Sequence, residues 1–135
     1  MTASLAEIKK EVDRRAALIG ASGDPLPTYG YSEDFGRPYI EIDSRGYHWV
    51  TEERGNELKR ITTPNLDDLL YAVFEAVTFS LAGRHEVKHR VRGEDCRRQI
   101  FRVQVELLGR LSPEWAARGA QHQQEILRQY PFTDR

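Results

Sequence analysis

Residues 39–63 read YIEIDSRGYHWVTEERGNELKRITT. Three short runs rich in aromatic and β-branched residues, Tyr39 to Asp43, Tyr47 to Glu52 and Glu57 to Ile61, are separated here by Asp-Ser-Arg-Gly and Glu-Glu-Arg-Gly, which predicts a three-stranded antiparallel meander. In both connections Gly falls at the fourth turn position, as a type I turn followed by a left-handed glycine bulge requires. Counting outward from such turns pairs Asp43 with Tyr47 and Glu52 with Asn56. Ile40, Ile42, Val50 and Leu58 then share one face, and Tyr39, Glu41, Tyr47, Trp49, Thr51, Glu57 and Lys59 share the other. A one-residue slip in the first hairpin sends Trp49 inward instead.

Upstream, the segment from Gly20 to Pro38 carries four glycines, Pro25, Pro27 and the aromatics Tyr29, Tyr31 and Phe35, with neither helical nor strand period. It reads as a long loop, of the kind that is functional or lies over a core through its aromatics. Before it, Ser4 and Glu7 form a capping-box signature, and Leu5, Ile8, Val12, Ala16 and Ile19 follow at helical spacing until Gly20. Downstream, Thr63 and Pro64 open a helix whose apolar stripe is Leu66, Leu69, Leu70, Val73, Phe74, Val77 and Leu81, ending at Gly83. Cys96, Ile100, Val103, Leu107 and Leu111 form a third stripe beginning near Glu94 or Asp95, and Ser112-Pro113 starts a fourth helix with Trp115, Gly119, Ile126 and Tyr130 inward. The expected fold is α+β: an N-terminal helix, the meander, then three helices packed on the sheet, in a single domain over residues 1–135.

Composition narrows the function. A chain of 135 residues suits one core, and no stretch longer than eight residues lacks Asp, Glu, Lys or Arg, so no bilayer-spanning segment is expected. The N-terminus lacks a signal-peptide core, which predicts a cytoplasmic protein. The single cysteine, Cys96, permits no intrachain disulfide and sits on an apolar stripe, so it reads as core packing. Net charge is −1, but it is unevenly spread. Residues 24–57 hold eight acids against three arginines, and residues 84–102 hold seven bases against three acids.

Two motifs suggest chemistry. His85-Glu86-Val87-Lys88-His89 matches H-E-x-x-H, the zinc-hydrolase pattern in which two histidines one turn apart bind metal and Glu activates water, with Glu106 the one plausible third ligand. The motif follows Gly83 rather than sitting inside a long buried helix, and Arg84, Lys88, Arg90 and Arg92 oppose a divalent cation. The same basic segment, through Arg90, Arg92, Arg97, Arg98 and Arg102, offers a nucleic-acid alternative, although no recognised binding motif accompanies it and Glu94 and Asp95 interrupt the run. There is no Gly-rich phosphate loop and no nucleophile elbow, so no cofactor is expected. The remaining candidate is a contact surface for a basic protein partner: Tyr39, Glu41, Tyr47 and Trp49, with Glu52 and Glu53 at the rim. Against it stands a sheet face covered by a helix, with Trp49 in a second core layer.

The blocks YHWVTEERGNEL (47–58), DDLLYAVF (67–74), VTFS (77–80), KHR (88–90) and DCRRQIF (95–101) resemble the Immunity protein 63 family of bacterial polymorphic toxin systems. The resemblance implies a small cytoplasmic protein that binds a cognate toxin domain and neutralises it, and that is not an enzyme. It supplies no catalytic residue. An acidic surface suits a toxin whose own site is basic, as in a nuclease.

Overall fold

The computed structural model describes residues 2–135, in two compact units that divide between Phe74 and Glu75. The first unit opens with α1 (Leu5–Leu18), capped as the Ser4 and Glu7 pair predicts: each side chain bonds the other residue's backbone N–H. Ile8, Val12 and Ala16 form its buried stripe. After the loop come β2 (Tyr39–Asp43), β3 (Gly46–Glu53) and β4 (Asn56–Thr63) as successive antiparallel neighbours. The long loop adds a strand that its composition hides, β1 (Thr28–Tyr29), which runs parallel to β2. The sheet is therefore mixed and four-stranded, in the order β1-β2-β3-β4, rather than a three-stranded meander. Two residues have too little length to show a period.

The register also differs from the turn-based expectation. Both hairpins close with two residues instead of three, so Asp43 faces Gly46 and Glu53 faces Asn56. The one-residue slip brings Tyr47 opposite Ile42 and Trp49 opposite Ile40, joining the large aromatics to the aliphatic face. Val50 falls opposite Tyr39. Burial of Trp49 and Tyr47 outweighs the local turn preference: two such side chains are worth several kcal/mol of transfer free energy, a hairpin loop only about 1 kcal/mol. In the second hairpin Arg54 and Gly55 both take left-handed backbone, at φ +53° and +78°, the conformation of a type I′ turn. Past that turn Thr51 faces Lys59 while Glu52 faces Glu57, so Leu58 is an extra residue, a β-bulge, and stands 59% exposed instead of joining Ile40.

Helix α2 (Leu66–Lys88) passes through Gly83 and ends five residues later, so it spans the division between the units. Leu69, Leu70, Val73, Phe74 and Val77 are buried on it as the stripe predicts. The second unit contains the rest of α2, α3 (Arg97–Leu111) and α4 (Pro113–Gln129), with α3 packed on α4. The unit that holds the sheet thus holds α1 and the start of α2, which corrects the expectation of three helices on the sheet. Trp115 and Gly119 are buried as expected, whereas Tyr130 is exposed.

The buried side of α3 is Gln99, Phe101, Gln104, Leu107 and Leu108, and Cys96 is exposed at its start. This rotates the helix away from the stripe drawn through Cys96. The cause is a set of amide hydrogen bonds that apolar periodicity does not register. Gln99 donates to the His89 carbonyl, Gln104 to that of Glu75, and Gln123 of α4 to the Phe101 carbonyl and the Gln104 side chain. A glutamine whose amide N–H finds a carbonyl acceptor is buried without the usual penalty. The chain then returns along the start of α3: Arg97 bonds the Tyr130 and Pro131 carbonyls, Arg98 pairs with Asp134 and stacks over Phe132, and the Arg135 amide donates to Gly93.

Candidate functional site

Pairing and alternation place Tyr39, Glu41, Asp43, His48, Val50, Glu52, Arg60 and Thr62 on one face of the sheet. Its polar groups hold one another. Arg60 bonds Glu41 and Glu57, and the Tyr39 hydroxyl donates to Glu52 at 2.9 Å. The fully buried His48 ring sits between the Asp43 carboxylate at 2.7 Å and the Thr62 hydroxyl at 2.8 Å. These contacts shift the titrations: the His48 bond, then the Arg45 amide, hold Asp43 below the usual carboxylate range, and Arg60 does the same to Glu57. Desolvation, reinforced by the Glu52 hydrogen bond, pushes the Tyr39 hydroxyl up to about 12.

Of the six residues expected to form a contact surface, the structure therefore divides the set. Tyr47 and Trp49 lie on the opposite face from Glu41 and Glu52, and both are buried; Ala3, just ahead of α1, donates to the Tyr47 hydroxyl. Tyr39 is buried on the face of the carboxylates, and Glu41 and Glu52 are half-buried. Glu53 is the exposed member, and its side chain has no hydrogen-bond or ion-pair partner among the described residues. It stands at the tip of the second hairpin, beside a shallow hollow lined by Glu53, Arg54, Asn56 and Leu58.

The loop ahead of β2 is fastened to that tip. Phe35 bridges to Glu53, the Gly36 amide donates to the Glu52 carbonyl, and the Arg54 amide donates to the Asp34 carbonyl. The Asp34 carboxylate accepts from the Gly55 amide at 2.7 Å. No periodicity reports such a clamp, and Gly36 is its one visible sign, as a break in regular structure.

The other candidate chemistries meet different surroundings. His85 to Lys88 of the H-E-x-x-H segment form the last turn of α2, and His89 lies just past its end. The His85 and His89 rings stack at 4.1 Å, and Glu86 is buried and paired with Arg90 rather than left facing a metal. Glu106 pairs with Arg110, and no group of three or more His, Cys, Asp or Glu among the described residues is placed to hold a metal ion. Of the cations offered to nucleic acid, Arg90 is held by Glu86, Arg97 by Asp95 and the tail carbonyls, and Arg98 by Asp134, while Arg92 and Arg102 are exposed. Asp95 is held far below the ordinary carboxylate range, first by Arg97. Among the described residues no helix is long and apolar enough to cross a membrane.

Residues 43–125, well over half of the chain, fit the family model described as Immunity protein 63. No curated protein and no solved structure matches.

Proposed function

Because the chain belongs to the Immunity protein 63 family, we propose that it binds a cognate bacterial toxin domain and neutralises it by covering the active site, without chemistry of its own. The family match carries this reading; it includes all of β3 and β4, and with them Glu52 and Glu53. Contact is made at the tip of the second hairpin, where Glu53 meets the partner directly, while Glu41 and Glu52, on the other face of the sheet, add negative potential from half-buried positions. Tyr39, Tyr47 and Trp49 act from beneath, as the packing that keeps the hairpin rigid. Residues 1–135 work as one immunity domain, a reading supported by the single helix α2 that belongs to both units. It acts in the cytoplasm, and its toxin carries a basic site, as a nuclease does, because the local excess of acids favours such a partner.

Co-expression with the C-terminal domain of the protein encoded immediately upstream tests the role: where that domain alone arrests growth, the chain is expected to protect the cells, and arrest despite its full expression rejects the role. For the surface, Glu53→Lys is a cleaner variant than reversal of Glu41 or Glu52, because those two hold Arg60 and Tyr39. It is expected to slow association about tenfold at low salt with little change in stability. An unchanged association rate rejects Glu53 as a contact.

A further inference from the structure

At 88% exposure Phe35 is the most solvent-exposed large apolar side chain among the described residues. A lone exposed aromatic needs no explanation when its backbone is loose. This one is held from both sides. Asp34 takes left-handed backbone at φ +60°, a conformation that costs an L-residue about 1 kcal/mol or more. It is kept there by the Gly55 amide on its carboxylate, the Arg54 amide on its carbonyl, and its own amide on the Ser32 hydroxyl. On the other side Gly36 bonds Glu52, and Arg37 ties the segment back to Glu33 and the Leu26 carbonyl. The ring gains almost no burial from this arrangement. What the clamp fixes is the backbone that carries the ring beside Glu53, whose other neighbour across the ladder is Asn56, while the bulge turns Leu58 outward along the same hollow.

We propose that Phe35 is the anchor of the toxin contact: its ring enters an apolar cleft on the toxin domain, Leu58 packs at the edge of that cleft, and Glu53 meets a basic group at its rim. This rests on the immunity reading. Three features select a protein partner of that chemistry. An aromatic side chain carried on backbone already held in place spares the cost of ordering a loop on binding, and aromatic side chains are enriched among the residues that dominate interfaces. Glu33 and Glu57 are held by Arg37 and Arg60, so Glu53 is the carboxylate available beside the ring. Phe35 also precedes the matched residues 43–125, whereas the hairpin that clamps it lies within them; a contact specific to this chain's own toxin is thereby mounted on the family scaffold.

The test is titration calorimetry of the full chain against the isolated C-terminal domain of the protein encoded immediately upstream, with wild type, Phe35→Ala and, as a control in the second unit, Arg102→Ala. Phe35→Ala is expected to weaken affinity at least 30-fold with an unchanged thermal midpoint, and Arg102→Ala to bind as wild type does. Tight binding by wild type together with Phe35→Ala within threefold of it overturns the anchor and leaves the immunity role standing. Wild type that does not bind the toxin domain overturns the immunity role and the anchor together. Self-association abolished by Phe35→Ala, with toxin affinity retained, assigns the ring to a second copy of this chain and also overturns the anchor.

Discussion

Gly46 is the position where one missing side chain decides the sheet's geometry. A Cβ there would lie 2.6 Å from the Thr63 carbonyl oxygen, and φ is +120°. The first hairpin and the end of β4 therefore approach as closely as they do only because residue 46 is glycine. Gly46→Ala is expected to cost about 2 kcal/mol or more, read as a lower urea midpoint, since both the clash and the backbone conformation resist it; a midpoint equal to wild type would contradict the close approach. Sequence reasoning found this glycine and gave it a different place in its turn. It registers that a turn requires glycine, but the atom that crowds it belongs to a residue 17 positions later. Phe35 is the opposite case, an aromatic visible in the loop whose fixed presentation depends on Asp34 and on two amides of a distant hairpin.

At the scale of elements, apolar spacing located every helix, and caps placed the starts of α1 and α4, because a capping box or a Ser-Pro start is chemistry confined to four neighbouring residues. Helix α2 instead starts at Leu66 behind Asn65, whose side chain accepts from the Asp68 amide, while Thr63, the expected cap, ends β4. Rotation about the helix axis was less legible. In α3 the buried glutamines displace Cys96 to the surface, and in α2 the glycine at 83 ends nothing, since Gly inside a helix costs only about 1 kcal/mol against Ala and the turns on either side absorb it. The C-terminal tail is an element that periodicity cannot propose at all. Phe132 lies 6.3 Å from Phe101, centroid to centroid, beneath the Arg98 guanidinium, and the tail's carbonyls bind Arg97. Phe132→Ala is expected to lower stability by about 1 kcal/mol through lost apolar burial and to speed amide exchange at the first turn of α3, measured residue by residue; unchanged exchange there would show that the tail does not brace the helix.

For the whole molecule, the carboxylates predict how stability responds to pH. Asp43, Glu57, Asp95 and Asp134 all titrate below their unfolded values, through His48, Arg60, Arg97 and Arg98 respectively as first cause. Their stabilisation is present above the unfolded carboxylate pKa of about 4 and is lost as pH falls through the lower folded values. Urea midpoints measured between pH 7 and 2 should therefore be level near neutrality and fall below about pH 5; Asp95→Asn should start lower at pH 7 and fall less steeply. Identical slopes for the two proteins would exclude Asp95 as a contributor. At the alkaline end Tyr39 works in the other direction: its raised folded pKa favours the neutral phenol, so stability declines as pH rises above about 10. By itself the sequence determined the helices, the strands β2 to β4, the charge asymmetry and the family, since each is written in adjacent residues or in blocks of chain that can be compared directly. Only the tertiary structure decided which side of β3 faces inward, that Tyr39, Tyr47 and Trp49 are packing while Glu53 is surface, and that a clamped loop displays Phe35. Those outcomes depend on burial summed over several strands and on hydrogen bonds between segments about 20 residues apart, which no local pattern encodes.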